Sequence, residues 1–278
     1  MCDPLNADVD YEVEYNNRAR VPENPAIIAS WARDALAYRE ADKDRLNVIS
    51  YGADERQKID LFSGGGTGPI VVFIHGGYWQ ALDASFFSHL ARGLNAHGID
   101  VAVPSYDLCP MVSVGDIIEQ MRVASRALAK FGRPLVVSGH SAGGHLAACL
   151  LATDWRAFDR ALPEGLVTAA YAISGLFDLR PLVKTSINNA LKLDDASAKA
   201  VSPLFWKPPA RGTLDAVVGG NESSEYFRQS RTIVDAWGGA DIATSYVAIP
   251  DANHFTVIAP LAEPGSPMTL RLKHLAGR

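Results

Sequence analysis

The run Leu135-Val136-Val137-Ser138-Gly139-His140-Ser141-Ala142-Gly143-Gly144-His145-Leu146 changes character in its middle. Its first residues are apolar and β-branched, as in a strand buried on both faces, and its last residues have the apolar face of a helix. Between them stands G-x-S-x-G. A serine at such a strand-to-helix turn has a strained backbone that lifts its hydroxyl above the sheet, and the flanking glycines remove Cβ atoms that would clash as strand and helix close together. The helix that follows brings its positive end and free N–H groups to the same point. Ser141 is therefore the candidate nucleophile.

Working outward, the same alternation repeats. Short apolar runs at 70–74, 99–103, 135–137, 167–173, 214–218 and 246–249 alternate with helical patterns at 86–97, 115–131, 141–152 and 224–237. In the second of these helices Ile117, Met121, Ala124 and Leu128 recur along one face. Strands alternating with helices predict an α/β fold, a mainly parallel central sheet with helices on both faces. Residues 47–51 and 57–62 alternate apolar and polar positions, as in a hairpin at a sheet edge. The glycine-rich stretch 63–68 lacks a following GK[ST] and leads into a strand, so it is a loop rather than a phosphate cradle. No repeat and no second unit is visible. Residues 1–278 form one domain in this reading, with residues 1–45 an N-terminal arm and a helix, at about 26–39, packed on it.

Upstream of Ser141, the strand at 70–74 runs into His75-Gly76-Gly77-Tyr78-Trp79. Glycines there let backbone N–H groups approach a substrate oxygen, and Gly76 and Gly77 with Ala142 are the expected oxyanion donors. Tyr78 and Trp79 adjoin that loop and are the candidate substrate contacts; Phe177, Phe205 and Trp206 are further aromatic walls or plain core. With the order serine, acid, histidine, only His254 and His274 come late enough to be the base. His254 follows a strand through a short loop, whereas His274 lies among Arg271, Lys273 and Leu275 on a surface helix pattern, which favours His254. The acid belongs in the loop after 214–218, where Glu222 and Glu225 both stand. Glu222 lies in the loop itself, and Glu225 in the first helical turn, where a carboxylate has the other task of favouring the helix N-terminus.

Composition narrows the function classes. A formal net charge of −5 and the lack of a basic stripe argue against nucleic acid as a partner. No apolar stretch reaches the ~18 residues of a membrane span, and Met1 is followed by no basic, then apolar, leader. Cys2, Cys109 and Cys149 are odd in number and show no metal-ligand or redox spacing, so no metal is expected, and the compartment reads as the cytoplasm. The expected partner is a small-molecule substrate, with homodimer formation left open.

With these residues placed, the chain resembles the serine-dependent kynurenine formamidase (arylformamidase) family of α/β-hydrolases. The match lies in His75-Gly76-Gly77-Tyr78-Trp79, in Tyr51-Gly52 with Lys58-Ile59-Asp60-Leu61, and in the GHSAGGHLAA segment at 139–148. It continues through Ser174-Gly175-Leu176-Phe177-Asp178-Leu179 with Pro181 and Thr185-Ser186, then Glu225-Tyr226-Phe227-Arg228-Gln229-Ser230, and ends at Asn253-His254-Phe255. The resemblance implies hydrolysis of N-formyl-L-kynurenine to L-kynurenine and formate without a cofactor. It also exposes a departure, since the family carries Asp where alignment through the Glu-Tyr-Phe-Arg-Gln-Ser run puts Glu222. A broad carboxylesterase, another small-amide hydrolase, and a non-catalytic binding protein on the same scaffold stand as alternatives.

Overall fold

The computed structural model describes residues 8–239 and 242–277. Cys2 and the other residues of the leader reading lie outside the described residues.

The buried run Ile70–Ile74 shows why the chain folds as it does. Ile70, Val72 and Ile74 enter the apolar core on one side of the sheet, and Val71 and Phe73 enter the core on the other. A strand with no solvated face must lie centrally between two helical layers. The full sheet has eight strands: β1 (Leu46–Ser50), β2 (Lys58–Phe62), β3 (Ile70–Ile74), β4 (Val101–Pro104), β5 (Leu135–His140), β6 (Val167–Ile173), β7 (Thr213–Gly219) and β8 (Ala243–Ile249). Their order is β1-β2-β4-β3-β5-β6-β7-β8. β1 and β2 pair antiparallel at one edge, as the alternating residues predict, and β2 meets β4 antiparallel. From β4 to β8 every pairing is parallel.

The helices follow in chain order: α1 (Tyr11–Tyr15), α2 (Asn17–Arg20), α3 (Asn24–Ala41), α4 (Ala91–Asn95), α5 (Val114–Ala129), α6 (Ala142–Leu151), α7 (Trp155–Phe158), α8 (Asn188–Leu191), α9 (Asp195–Ala200), α10 (Ser224–Gly238) and α11 (Pro267–Leu275). α5 starts at a capping box in which Ser113 accepts from the Asp116 amide and Asp116 accepts from the Ser113 amide. The 86–97 segment departs from the single helix its apolar spacing predicts. It forms two 3-10 turns, at Ala84–Phe86 and Ser88–Leu90, before the short α4. The tighter winding still buries Phe87, Leu90, Ala91 and Leu94.

The arm is docked rather than trailing. Trp31 of α3 packs against Phe87 and Phe255, and the Tyr15 hydroxyl at the end of α1 donates to Glu225. Among the described residues no helix is long and apolar enough to cross a membrane.

Candidate active site

Parallel pairing carries the ends of β3, β5, β6, β7 and β8 to one rim of the sheet. At the end of β5, Ser141 adopts φ 56°, ψ −116°, a region that non-glycine residues visit only under constraint. The constraint is visible in the glycines beside it. A Cβ on Gly139 would stand 2.2 Å from the Gly143 carbonyl oxygen, and one on Gly143 would stand 1.9 Å from that of Ile74. Any side chain at either position would force β5 and α6 apart.

After β3, Gly77 takes φ 106°, and a Cβ there would collide with the Ala81 carbonyl at 2.3 Å. A Cβ on Gly76 would press on Ser141 Cβ at 3.0 Å, so only glycine lets this loop lie against the serine. The amides of Gly77 and Ala142 have no acceptor among the described residues.

β7 and β8 run in register over seven residue pairs, from Thr213 with Ala243 to Gly219 with Ile249, so the loops that follow them lie side by side. They are stitched by Gly220 N–H to Ile249 O at 2.7 Å and Asn221 N–H to Ala252 O at 2.9 Å. This brings Glu222 Oε2 to 2.7 Å from His254 Nδ1, both groups buried. The other carboxylate oxygen of Glu222 accepts from the Gly219 amide at 2.7 Å and from the Ser174 hydroxyl at 2.5 Å. With Nδ1–H donated to the carboxylate, Nε2 is the nitrogen left to take a proton. Ser141 makes no direct hydrogen bond to His254 among the described residues. Both Ser141 and His254 line one cavity of about 430 Å³, a size within the roughly 300–1,000 Å³ of small-molecule sites. Nucleophile–base contacts commonly tighten only when substrate enters.

Glu225 is placed elsewhere. In the first turn of α10 it accepts from the Tyr15 hydroxyl at 2.7 Å and from both Nε and Nη2 of Arg228, and no contact joins it to His254 among the described residues. Trp79 needs correction as a substrate contact. It is fully buried and meets His145 edge-on at 5.0 Å between ring centres, because its left-handed backbone (φ 58°) turns the indole into the core beneath the loop. Tyr78 does line the cavity. Phe177 is core, while Phe205 packs under the cations Arg180 and Lys199. The other aromatic walls are Tyr15, Trp31 and Phe255. Trp31 belongs to the distant arm, and its helical pattern gave no sign that it reaches the cavity.

Sequence reasoning also missed three supports. His140 Nε2–H donates to the His254 carbonyl at 2.8 Å, and burial followed by the nearby His254 holds the His140 pKa well below its usual range. A neutral His140 thus pins the backbone of the base. Ser174, with φ 50° at the end of β6, orients the acid. Tyr226 lies 4.7 Å from the His254 ring and joins Tyr78 and Asn17 through its hydroxyl, at 2.7 Å each. Asp178 is held by Arg180 through both carboxylate oxygens, as a structural ion pair. Among the described residues no group of three His, Cys, Asp or Glu side chains could hold a metal ion.

Three further histidines, His75, His89 and His145, are buried with pKa values pushed down to about 4, in each case chiefly by burial. The unfolded chain takes up these protons near pH ~6.5, before the folded one can. Stability is therefore fully present above pH ~6.5 and is lost as pH falls toward about 4, by up to about 3 kcal/mol per histidine. Urea midpoints should fall markedly between pH ~7 and pH ~5; equal midpoints would contradict burial of neutral rings.

Comparison with known proteins follows this geometry. Residues 71–254 match the α/β hydrolase fold family. Kynurenine formamidase of Salmo salar is 30% identical over 84% of this chain and 82% of its own. The chain belongs to the kynurenine formamidase family of α/β-hydrolases. That of Drosophila melanogaster is 29% identical, over 83% of this chain and 81% of its own. A crystal structure from Silicibacter sp. TM1040, solved as a candidate thioesterase, superposes with a TM-score of 0.82 at 38% identity, covering 94% of this chain and 98% of that one. As a member of this family the protein is a hydrolase, and its fold class is the one the alternating strands and helices predicted.

Proposed function

We propose that the protein hydrolyses an aryl formamide, with N-formyl-L-kynurenine the leading substrate, and that Ser141, His254 and Glu222 carry the reaction. The observation that supports it most directly is the buried Glu222–His254 pair opening onto the same cavity as Ser141. His254 Nε2 takes the hydroxyl proton as Ser141 Oγ bonds to the formyl carbon, and Glu222 stabilises the imidazolium. The oxyanion that forms is met by the N–H groups of Gly77 and Ala142, with Gly76 allowing the close approach. Imidazolium then protonates the departing aryl nitrogen, the C–N bond breaks, and a formyl ester remains on Ser141. Water, deprotonated by the same histidine, releases formate and restores the serine. A cytoplasmic location is part of this proposal, supported by the unpaired buried thiols of Cys109 and Cys149.

Esters cleave more easily than amides, because an amide nitrogen must be protonated as it leaves, so esterase activity alone decides nothing. The test is kcat/KM across formyl, acetyl and butyryl amides of one aryl amine, beside p-nitrophenyl esters and acyl thioesters. A loss of at least tenfold from formyl to butyryl is expected, because Tyr78 and the Gly77 loop crowd the acyl side of Ser141. Preference for butyryl esters or thioesters, with N-formylkynurenine untouched, would replace the formamidase reading with a broad esterase.

A further inference from the structure

The cavity above Ser141 is lined on one side by the arm, through Glu12, Tyr15, Asn17, Arg18 and Trp31. Among the described residues that line it, Arg18 is the one permanent cation and Glu12 the one carboxylate. They stand on consecutive short helices, Glu12 on α1 and Arg18 on α2. Neither is paired with the other or with any third charge among the described residues. The neighbouring charges of the arm are already engaged: Glu14 pairs with Arg20 at 4.0 Å and accepts from the Ser224 hydroxyl and the Glu225 amide.

The Arg18 backbone and the Glu12 side chain are held in place by their surroundings, while the Arg18 side chain itself is exposed. The Arg18 carbonyl accepts from buried Asn24, and adjacent Asn17 is buried with its amide on the hydroxyls of Tyr226 and Tyr78. Arg18 therefore extends from a turn fixed to the Tyr78 and Tyr226 hydroxyls, and it lines the same cavity as Ser141. Glu12 accepts one bond per oxygen from Ser186, at 2.6 Å from its amide and 2.6 Å from its hydroxyl. These bonds, the hydroxyl's first, hold the Glu12 pKa below its usual value, so the carboxylate is charged at neutral pH. A carboxylate offers about four acceptor sites, so roughly two stay open on Glu12.

We infer that Arg18 and Glu12 form a subsite for a free α-amino-acid end, Arg18 taking the α-carboxylate and Glu12 the α-ammonium of a substrate whose formamide lies at Ser141. A guanidinium matches a carboxylate through two parallel N–H donors, whereas an ammonium needs acceptors only, and the cavity supplies one group of each kind. Trp31, Phe255, Ile28 and Ile187 add an apolar part to the lining that suits the aryl ring between the two polar ends. This rests on the aryl-formamide reading above and adds which aryl formamides are selected.

The experiment compares N-formyl-L-kynurenine with 2-formamidoacetophenone, which keeps the aryl formamide and lacks the amino-acid end. The wild type should favour the former by roughly 10- to 100-fold in kcat/KM, mostly through KM. Arg18→Gln and Glu12→Gln should each collapse that ratio by about tenfold or more, with Arg18→Lys recovering part of it; equal loss on both substrates would mark a structural role and overturn the inference. Binding is read separately, by calorimetry of L-kynurenine and of 2-aminoacetophenone on the intact protein. Arg18→Gln should weaken only the first, about tenfold. If the wild type shows no preference between the two formamides and binds L-kynurenine no better than 2-aminoacetophenone, the subsite is wrong while the formamidase reading stands. If no formamide is cleaved, the formamidase reading falls, and the calorimetric comparison alone decides the subsite.

Discussion

Ser141→Ala should leave a folded protein whose kcat on N-formylkynurenine is about ten-thousand- to million-fold lower, since the oxyanion donors and binding retain only part of the acceleration once the nucleophile is gone. The fold is expected to survive. Alanine has the same Cβ as serine, and the left-handed backbone at 141 is imposed by the β5–α6 turn and by the Ser141 amide donating to the Ile173 carbonyl at 2.8 Å, neither of which involves the hydroxyl. Circular dichroism and the urea midpoint check the fold, single-turnover assays check the rate, and a fluorophosphonate should label Ser141 alone. Near-wild-type turnover in the alanine variant, or an adduct on another residue, would remove Ser141 from the mechanism.

Glu222→Gln is expected to lower kcat by about a thousand- to ten-thousand-fold with little change in KM. The structure gives the reason in donors and acceptors. Glu222 Oε1 already accepts from the Gly219 amide and the Ser174 hydroxyl, so a glutamine there must keep its oxygen on that side. Its NH2 then faces His254 Nδ1, which can no longer donate. The ring is driven to the other tautomer, with its proton on Nε2, where a base is needed. Glu225→Gln supplies the contrast. It weakens the bonds to Tyr15 and Arg228 that dock the arm on α10, at a cost of about 2 kcal/mol in stability, with a much smaller change in kcat. If Glu225→Gln were the catalytically damaged variant and Glu222→Gln the merely less stable one, the acid would be reassigned.

The contrast between these two carboxylates shows how far the sequence could be read. Their order in the chain favoured Glu222 only by its place in a loop. What separates them in space is the in-register pairing of β7 with β8, which lays loop 219–222 against loop 249–254 and turns the next helix, with Glu225, toward the arm. Trp79 marks the opposite case. Adjacent to the oxyanion glycines, it looked like a pocket wall, yet neighbouring residues in a tight turn point in unrelated directions, and its backbone sends the indole into the core.

The sequence by itself determined those features that depend on chain neighbours. The buried strands follow from apolar runs, the elbow at Ser141 from glycines whose missing Cβ atoms permit a close turn, and the antiparallel edge from alternation over two short segments. His254 as the candidate base came from serine-acid-histidine order and a loop after a strand, and the family from runs of matching residues. Only the tertiary structure decided what depends on residues far apart in the chain. The arm over the cavity sets Trp31, Glu12 and Arg18 beside Ser141, although more than a hundred residues separate them. His140 and Ser174 brace a histidine and a glutamate from different strands. Periodicity reports which face of an element is buried, because that is a local property of the chain, but the residues it is buried against are chosen by packing over the whole molecule.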